Sequence, residues 1–245
     1  MIKPVCLLLP FFLLLPAFGE GADVVYTVDD QAYEGYFISP AEDAPLVVLL
    51  HDWDGLTGYE KRRAHMLAAE GYAVFAADLF GQGIRPTEVV DRRQHTGELY
   101  TDRAKMRRLI QGALDAAKAQ GAHTENAVLM GYCFGGAAVL EFARSGAELK
   151  GFVSFHGGLK TPEGQDYRQS KGEILILHGT ADTAIPMTEF AELAVELEEQ
   201  DVPHEMITYG GAPHAFTVFD SDRYREEADR RSWERFLAFL KRTTR

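Results

Sequence analysis

Five short, continuously apolar segments constrain the fold of this chain more than any other feature of its sequence. They comprise residues 46–50, 72–77, 127–130, 152–155 and 174–177. A strand that is covered by helices on both faces has no solvent-facing side, so it is apolar along its whole length rather than at alternate positions. The five segments therefore predict buried strands of a mostly parallel sheet.

Amphipathic segments lie between and after these strands. Three of them carry apolar residues on a single helical face: Met106, Leu109, Ile110, Ala113 and Ala117; Phe190, Leu193, Ala194 and Leu197; and Trp233, Phe236, Leu237 and Leu240. An earlier helix contains Ala64 and Leu67 and is expected to end at Gly71, because glycine suits the left-handed position after a helix. This alternation predicts an α/β fold, with a mostly parallel central sheet flanked by helices on both faces.

The remaining segments are less regular. Residues 24–28 and 33–38 suggest an N-terminal hairpin across Asp29 and Asp30. Residues 156–173 contain several glycines and a proline and show no helical pattern. Because a connection between parallel strands usually contains a helix, this stretch is the weakest part of the predicted topology.

The first 22 residues are typical of a secretory signal peptide. Lys3 precedes an apolar run from Pro4 to Phe18, and small residues follow it. The run is shorter than the roughly 20 residues of a membrane span and contains two prolines, so stable membrane insertion after cleavage is not expected. We predict an exported protein, periplasmic or secreted, in which residues 23–245 form one domain.

The charge of the chain limits its partners. A formal net charge of -12 opposes binding to nucleic acid phosphates, because the long-range field repels them. No low-complexity tract or linker divides the sequence, and 46% of the residues are hydrophobic, as in an ordinary globular domain. We expect a small-molecule substrate, no nucleic acid, and a monomer or small homo-oligomer.

One unpaired cysteine is the candidate nucleophile. The chain has only Cys6, within the predicted signal peptide, and Cys133. Cys133 lies in Gly131-Tyr132-Cys133-Phe134-Gly135-Gly136, between a predicted strand and a predicted helix over residues 134–144. Such an elbow presents a nucleophile at a helix N-terminus, where a thiolate is favoured. The alternative is an inert buried cysteine before a glycine-rich helix.

An aspartate and a histidine follow Cys133 in the order of an α/β-hydrolase triad. Asp182 follows the strand 174–177, and His214 follows a further strand-like stretch, His204–Tyr209. Loops at the carboxyl ends of parallel strands meet in one crevice, so we expect Cys133, Asp182 and His214 to converge there. The alternatives are a turn aspartate and a surface-loop histidine.

These residues give the chain a resemblance to the dienelactone hydrolase family. The cysteine elbow, Asp182 and His214-Ala215-Phe216 resemble the catalytic elements of that family, and the similarity extends to residues 51–56, 78–81 and 231–235. The resemblance implies an α/β-hydrolase fold and cleavage of ester or lactone bonds through a thioester acyl-enzyme on Cys133. It also implies an oxyanion hole formed by the backbone amides of Trp53 and Phe134. It implies no metal or organic cofactor.

Two positions depart from the pattern of that family. The family usually has a glutamate where this chain has Asp52; if Asp52 reaches the thiol, its charge raises the thiol pKa until substrate arrives, and otherwise it is a solvated loop residue. Dienelactone hydrolases hold a substrate carboxylate with polar residues after the catalytic histidine, where this chain has Ala215 and Val218. Arg85 could partly replace them, or it is structural. A muconate-type dienelactone is not the expected substrate.

Two other classes of function remain open from the sequence. One is a non-catalytic ligand-binding protein on a hydrolase fold, because a fold does not determine a function. The other is a thiol sensor, although the mature chain has no second cysteine to resolve an oxidised sulfur.

Overall fold

A computed structural model describes residues 19–244 of the chain. The strands are β1 Ala22–Val28, β2 Gln31–Ile38, β3 Pro45–Leu50, β4 Ala73–Ala77, β5 His123–Tyr132, β6 Gly151–Phe155, β7 Glu173–Gly179 and β8 His204–Tyr209. The helices are α1 Gly58–Ala69, α2 Val89–Thr101, α3 Arg103–Ala119, α4 Phe134–Arg144, α5 Met187–Glu199 and α6 Glu226–Thr243. Most of the predicted signal peptide lies outside the described residues.

The strands form one eight-stranded sheet in the order β1-β2-β4-β3-β5-β6-β7-β8. The strands from β3 to β8 pair in parallel, whereas β2 pairs antiparallel with both β1 and β4. The predicted hairpin is confirmed. Its two turn residues, Asp29 and Asp30, have φ angles of 50° and 63°, which match a tight hairpin turn with positive φ at both positions.

Both faces of the sheet are buried, which explains the continuous apolar strands. On β3, Leu46, Val48 and Leu50 pack into one apolar cluster with residues of α2, α3, α4 and α5. Val47 and Leu49 pack on the opposite face with residues of α1 and α6. The predicted α/β fold, with a mostly parallel sheet and helices on both faces, is confirmed.

Two details of the fold differ from or extend the sequence prediction. Helix α2 was not predicted, because Leu99 is its only buried residue and it therefore carries no apolar stripe. Strand β5 begins at His123, before the apolar segment that starts at Ala127. Its first four residues were not predicted, because they are alternately exposed and half-buried and are not continuously apolar. The connection over 156–172 contains no helix, as the sequence indicated. Within residues 19–244, no helix has the length and apolar character needed to cross a bilayer.

Candidate active site

Cys133 occupies a strained elbow between β5 and α4. Its φ is 49° and its ψ is -110°, a conformation that residues with a side chain rarely adopt and that costs on the order of 1–3 kcal/mol. The neighbouring elements hold it in place: the Cys133 amide donates to the Phe155 carbonyl at 3.0 Å, and the Cys133 carbonyl accepts from the Ala137 amide at 3.2 Å. The elbow therefore continues the sheet on one side and begins the helix on the other.

The glycines around Cys133 are required by close backbone approach. A Cβ on Gly135 would lie 2.5 Å from the carbonyl oxygens of both Leu50 and His51. A Cβ on Gly131 would lie 2.4 Å from the backbone of Gly135. Glycine therefore allows α4 to start directly against the carboxyl end of β3, which brings the thiol close to the loop that follows that strand.

The structure brings Cys133, His214 and Asp182 into one hydrogen-bonded series. His214 Nε2 lies 3.1 Å from Cys133 Sγ, and His214 Nδ1 lies 2.8 Å from Asp182 Oδ2. The other carboxylate oxygen of Asp182 accepts from the amides of Ala184 and Ile185, each at 2.9 Å. Asp182 is thus oriented by its own loop, and it orients the imidazole in turn.

The surroundings shift the pKa values of the two outer members of the series in opposite directions. Burial alone would raise the pKa of Asp182, but the hydrogen bonds with His214 and with the Ile185 and Ala184 amides outweigh it, so the pKa lies below its ordinary value. Burial raises the pKa of the Cys133 thiol, and Asp52 raises it further when its carboxyl is ionised. These two shifts favour a neutral Cys133 thiol and an ionised Asp182, with His214 between them.

A cavity of about 390 Å³ opens beside Cys133. Its walls come from loops at the carboxyl ends of four strands and from α2 and the elbow: Asp52, Trp53, Thr96, Tyr100, Cys133, Phe134, Gly158, Ala184, Ile185, His214, Ala215 and Arg223. A concave, largely apolar pocket with a few converging polar groups is the usual form of a small-molecule site. Trp53 and Phe134 both line it, and the Phe134 backbone lowers the pKa of the thiol against the larger effect of burial.

Asp52 lines the same cavity and belongs to a group of three carboxyls. Oxygen atoms of Asp52, Asp54 and Glu60 lie within 4.8 Å of one another, a spacing at which a metal ion could bridge them. Burial and the neighbouring carboxyls raise the pKa of Asp52 to about 9. Burial also raises the pKa of Glu60 to about 7, against the opposing hydrogen bonds from Thr57. Protons bound to Asp52 and Glu60 therefore relieve part of the repulsion within this group.

Arg85 does not line the cavity. Its guanidinium donates to the carbonyl oxygens of Leu56 and Ile84 and lies 3.6 Å from Asp78 Oδ1. These contacts tie the loop after β3 to the loop after β4. The contacts that Arg85 makes in the structure are therefore those of the structural role that the sequence left open.

Three lining residues with polar side chains were missed by the sequence interpretation. Thr96 and Tyr100 lie on α2, which has no apolar stripe, and Arg223 lies on the loop between β8 and α6. No local pattern marks these positions. The only available signal for Arg223 was its position in the loop that follows His214.

A buried polar network supports the loop that carries His214. His156 is buried, and its Nε2 lies 2.8 Å from Thr217 Oγ1, which also lies 2.8 Å from the Tyr59 hydroxyl. The His156 ring packs edge-on against the His214 ring, with 5.4 Å between their centroids. Burial lowers the pKa of His156 well below its ordinary value, so the ring beneath His214 is neutral at neutral pH. His178 is also buried, and its Nε2 lies 3.0 Å from the Ile185 carbonyl oxygen.

Arg63 anchors this network from α1. Its side chain is fully buried, and it donates to the Thr217 carbonyl at 2.8 Å and to Asp229 of α6. Asp229 also accepts from the Tyr224 hydroxyl at 3.2 Å. The ion pair thus joins two helices on one face of the sheet to the segment three residues after His214.

The sheet order, the strained elbow and the order of Cys133, Asp182 and His214 along the chain define a protein of the α/β-hydrolase class. A sequence profile of the Dienelactone hydrolase family matches residues 33–244. The chain belongs to that family, and it is an ester or lactone hydrolase of the dienelactone hydrolase type.

Individual relatives agree with this assignment. A Synechocystis sp. protein named "Putative carboxymethylenebutenolidase" is 24% identical over 219 residues, which cover 82% of this chain and 88% of the relative. The structure of a protein called m3DLH superposes with a TM-score of 0.87 at 29% identity and covers 92% of this chain and 99% of its own. A dienelactone hydrolase-like promiscuous phosphotriesterase from metagenomic libraries gives a TM-score of 0.84 at 30% identity, covering 91% and 98%.

Proposed function

We propose that the protein hydrolyses carboxylic esters or lactones by acyl transfer to Cys133. The observation that carries this proposal is the continuous series from Cys133 Sγ through His214 to Asp182, with distances of 3.1 Å and 2.8 Å. The series lies at the wall of the cavity of about 390 Å³, which is large enough for a small acyl group. A nucleophile, a base within hydrogen-bond reach and a group that orients the base are the required parts of such a site.

In the first half of the reaction, the neutral thiol gives its proton to His214 Nε2 as the sulfur attacks the substrate carbonyl carbon. Asp182 accepts a hydrogen bond from Nδ1–H, which fixes the imidazole tautomer and stabilises its charged form. The amides of Trp53 and Phe134 stabilise the oxyanion that develops on the carbonyl oxygen. His214 then returns the proton to the leaving oxygen, and a thioester forms on Cys133.

In the second half, water replaces the leaving group in the cavity. His214 removes a proton from this water as it attacks the thioester carbonyl, and the resulting tetrahedral intermediate expels the sulfur. The proton returns to sulfur, so the neutral thiol is restored. No metal or organic cofactor takes part in the proposed steps. Because an amide nitrogen is a poorer leaving group than an ester oxygen, esters and lactones are expected to react more readily than amides.

The thioester provides a direct test of the proposal. Residues 23–245 mixed with p-nitrophenyl acetate and quenched within one turnover are expected to gain the mass of one acetyl group on the peptide that contains Cys133. Mass spectrometry of the digested protein measures the modification and its position. Hydrolysis that proceeds with no adduct at Cys133, and that survives alkylation of the thiol, would contradict the mechanism. A ligand-binding protein or a thiol sensor would show no turnover at all.

We propose that Asp52 modulates the thiol in a pH-dependent manner. With a pKa of about 9, Asp52 is protonated at pH 7 and is then as uncharged as asparagine. Above that pH its carboxylate forms, and its negative charge disfavours the nearby thiolate. At neutral pH, the burial of Cys133 is therefore the main cause that keeps its thiol protonated.

The variant Asp52→Asn is accordingly expected to match the parent in the rate of iodoacetamide alkylation at pH 7 and to react faster above pH 9. Pseudo-first-order alkylation rates between pH 6 and pH 10 measure the difference. Asp30→Asn, in the exposed hairpin turn, is the matched control. A ratio of variant to parent rates that stays constant across this range would contradict the role assigned to Asp52.

We also propose, from the sequence of residues 1–22, that the protein is exported and cleaved near Gly19 or Ala22. Strand β1 begins at Ala22, so cleavage at either site would remove at most the first residue of that strand. N-terminal sequencing of the protein recovered outside the cytoplasm would identify the bond, and recovery of the intact chain would contradict cleavage.

A further inference from the structure

A second cavity, of about 430 Å³, adjoins the cavity that contains Cys133. Tyr100, Gly158 and Ile185 line both of them. Because the two cavities share these three residues, they are adjacent in the structure. We call this second space the distal cavity.

The distal cavity exists because the connection between β6 and β7 contains no helix. Residues 156–172 run as an irregular segment, and its part from Gly158 to Glu163 forms one wall. The opposite wall is α4, from Ala137 to Arg144. At a rise of 1.5 Å per residue, the cavity extends roughly 10 Å along the axis of the helix that begins at Cys133.

An arginine cluster borders the distal cavity, and two of its members, Arg103 and Arg144, line it. Arg103, Arg107 and Arg144 all contact the single carboxylate of Glu141, at 2.9, 2.5 and 2.9 Å. Glu141 is fully buried, and its pKa lies below the ordinary value because the arginine contacts outweigh its burial. One carboxylate offsets one of the three guanidinium charges. The cluster is therefore locally positive in a chain whose formal net charge is -12.

Three further charged side chains line the distal cavity nearer to solvent. Lys160 is exposed and forms no ion pair within residues 19–244. Glu163 and Glu189 are the acidic members of the lining. Among the charged side chains that line the cavity, cations exceed carboxylates by one, since Arg103, Arg144 and Lys160 oppose Glu163 and Glu189. Lys160 is thus the cation best placed to meet a solvent-borne anion.

We propose that the distal cavity binds an acidic group at the end of a long arm of the substrate. The inference rests on the proposed function, because it assumes that the ester or lactone carbonyl is attacked at Cys133. It adds that the substrate is larger than a small lactone, with its carboxylate several bonds away from the scissile carbonyl. Lys160 supplies a charge-assisted hydrogen bond to this carboxylate, and the arginine cluster supplies the surrounding positive potential.

A series of p-nitrophenyl monoesters of dicarboxylic acids tests the proposal, with glutarate, adipate, suberate and sebacate as acyl groups. Each is compared with the matched ester in which a neutral carboxamide replaces the terminal carboxylate. We expect the kcat/KM ratio of acid to amide to be close to one for glutarate and to rise to about tenfold for the longer chains, which corresponds to one partly exposed ion pair. The gain is expected mainly in KM, because the contact is the same in the ground state and the transition state.

Variants of the lining then assign the effect. Lys160→Ala is expected to lower the acid-to-amide ratio of the long esters several-fold, and Glu163→Gln to raise it. Lys171→Ala is the matched control, because Lys171 is an exposed lysine that pairs with Glu148 and lines neither cavity. All three side chains are exposed, so the variants are expected to fold.

The possible outcomes separate the two proposals. If the protein hydrolyses p-nitrophenyl acetate but the acid-to-amide ratio is independent of chain length, or if Lys160→Ala leaves the long-chain ratio unchanged, the distal cavity does not select an acid and only this inference fails. If the protein hydrolyses none of the esters, the proposed function fails and this inference fails with it.

Discussion

Replacing Cys133 with alanine, or His214 with glutamine, is expected to lower kcat/KM for p-nitrophenyl acetate by a factor of about 10³ or more. The first change removes the proposed nucleophile, and the second removes the proposed base, whose Nε2 lies 3.1 Å from the sulfur. In enzymes of this type, each member of such a set costs several orders of magnitude when it is lost alone. Because the two residues act in one step, the double variant is expected to be about as slow as either single variant.

The controls for this experiment address folding and the general loss of a histidine. His123→Gln is a matched change, because His123 is exposed, pairs with Glu125 and lies outside the cavity. Thermal unfolding of each variant shows whether it is folded. This control is needed because residue 133 has a positive φ, which is strained for alanine as well as for cysteine. Activity within tenfold of the parent in a folded Cys133→Ala variant would disprove nucleophilic catalysis by this thiol.

Replacing Arg63 with methionine is expected to lower the free energy of unfolding by about 3–5 kcal/mol, the usual cost of removing one partner from a buried ion pair. Methionine retains much of the apolar side-chain volume, but it leaves Asp229 with 6% of its surface exposed and without its cation. It also removes the donor to the Thr217 carbonyl. Urea-induced unfolding followed by circular dichroism measures the change.

Two further variants identify the cause of this destabilisation. Arg230→Met, on the exposed side of the same helix as Asp229, removes surface ion pairs with Glu227 and Glu234 and is expected to change stability little. The double variant Arg63→Met/Asp229→Leu is expected to recover part of the lost stability, because it removes both charges together. If the free energy of unfolding of Arg63→Met lies within about 1 kcal/mol of that of the parent, removing one partner of this buried pair costs less than predicted and the prediction is wrong.

The sequence predicted the elements whose signals are local. The apolar strands and the amphipathic helices have periodicities that follow from their burial, and the hairpin has a two-residue aspartate turn. Helix α4 was predicted over its full length, residues 134–144, because a glycine-rich elbow defines its start. Helix α2 could not be predicted in this way, since it buries only Leu99 and therefore carries no apolar stripe.

The candidate site shows the same division. Cys133, Asp182 and His214 were recognisable because each follows a predicted strand, and the carboxyl ends of parallel strands meet at one edge of the sheet. Thr96, Tyr100 and Arg223 were not recognisable, because they reach the cavity from segments without a regular pattern. The position of Arg85 was undecided for a similar reason: only the folded loops show which carbonyl groups its guanidinium contacts.

By itself, the sequence determined the α/β architecture, the family resemblance and the identity and order of the three proposed catalytic residues, because these depend on periodicity and on motifs along the chain. The tertiary structure alone decided the distance between the thiol and the imidazole, the pKa of Asp52 and the adjacency of the two cavities. Each of these depends on how far apart in space, and how deeply buried, groups distant in the chain become. Hydrogen bonding and desolvation act over a few ångströms, and that scale is set only when the helices and loops pack onto the sheet.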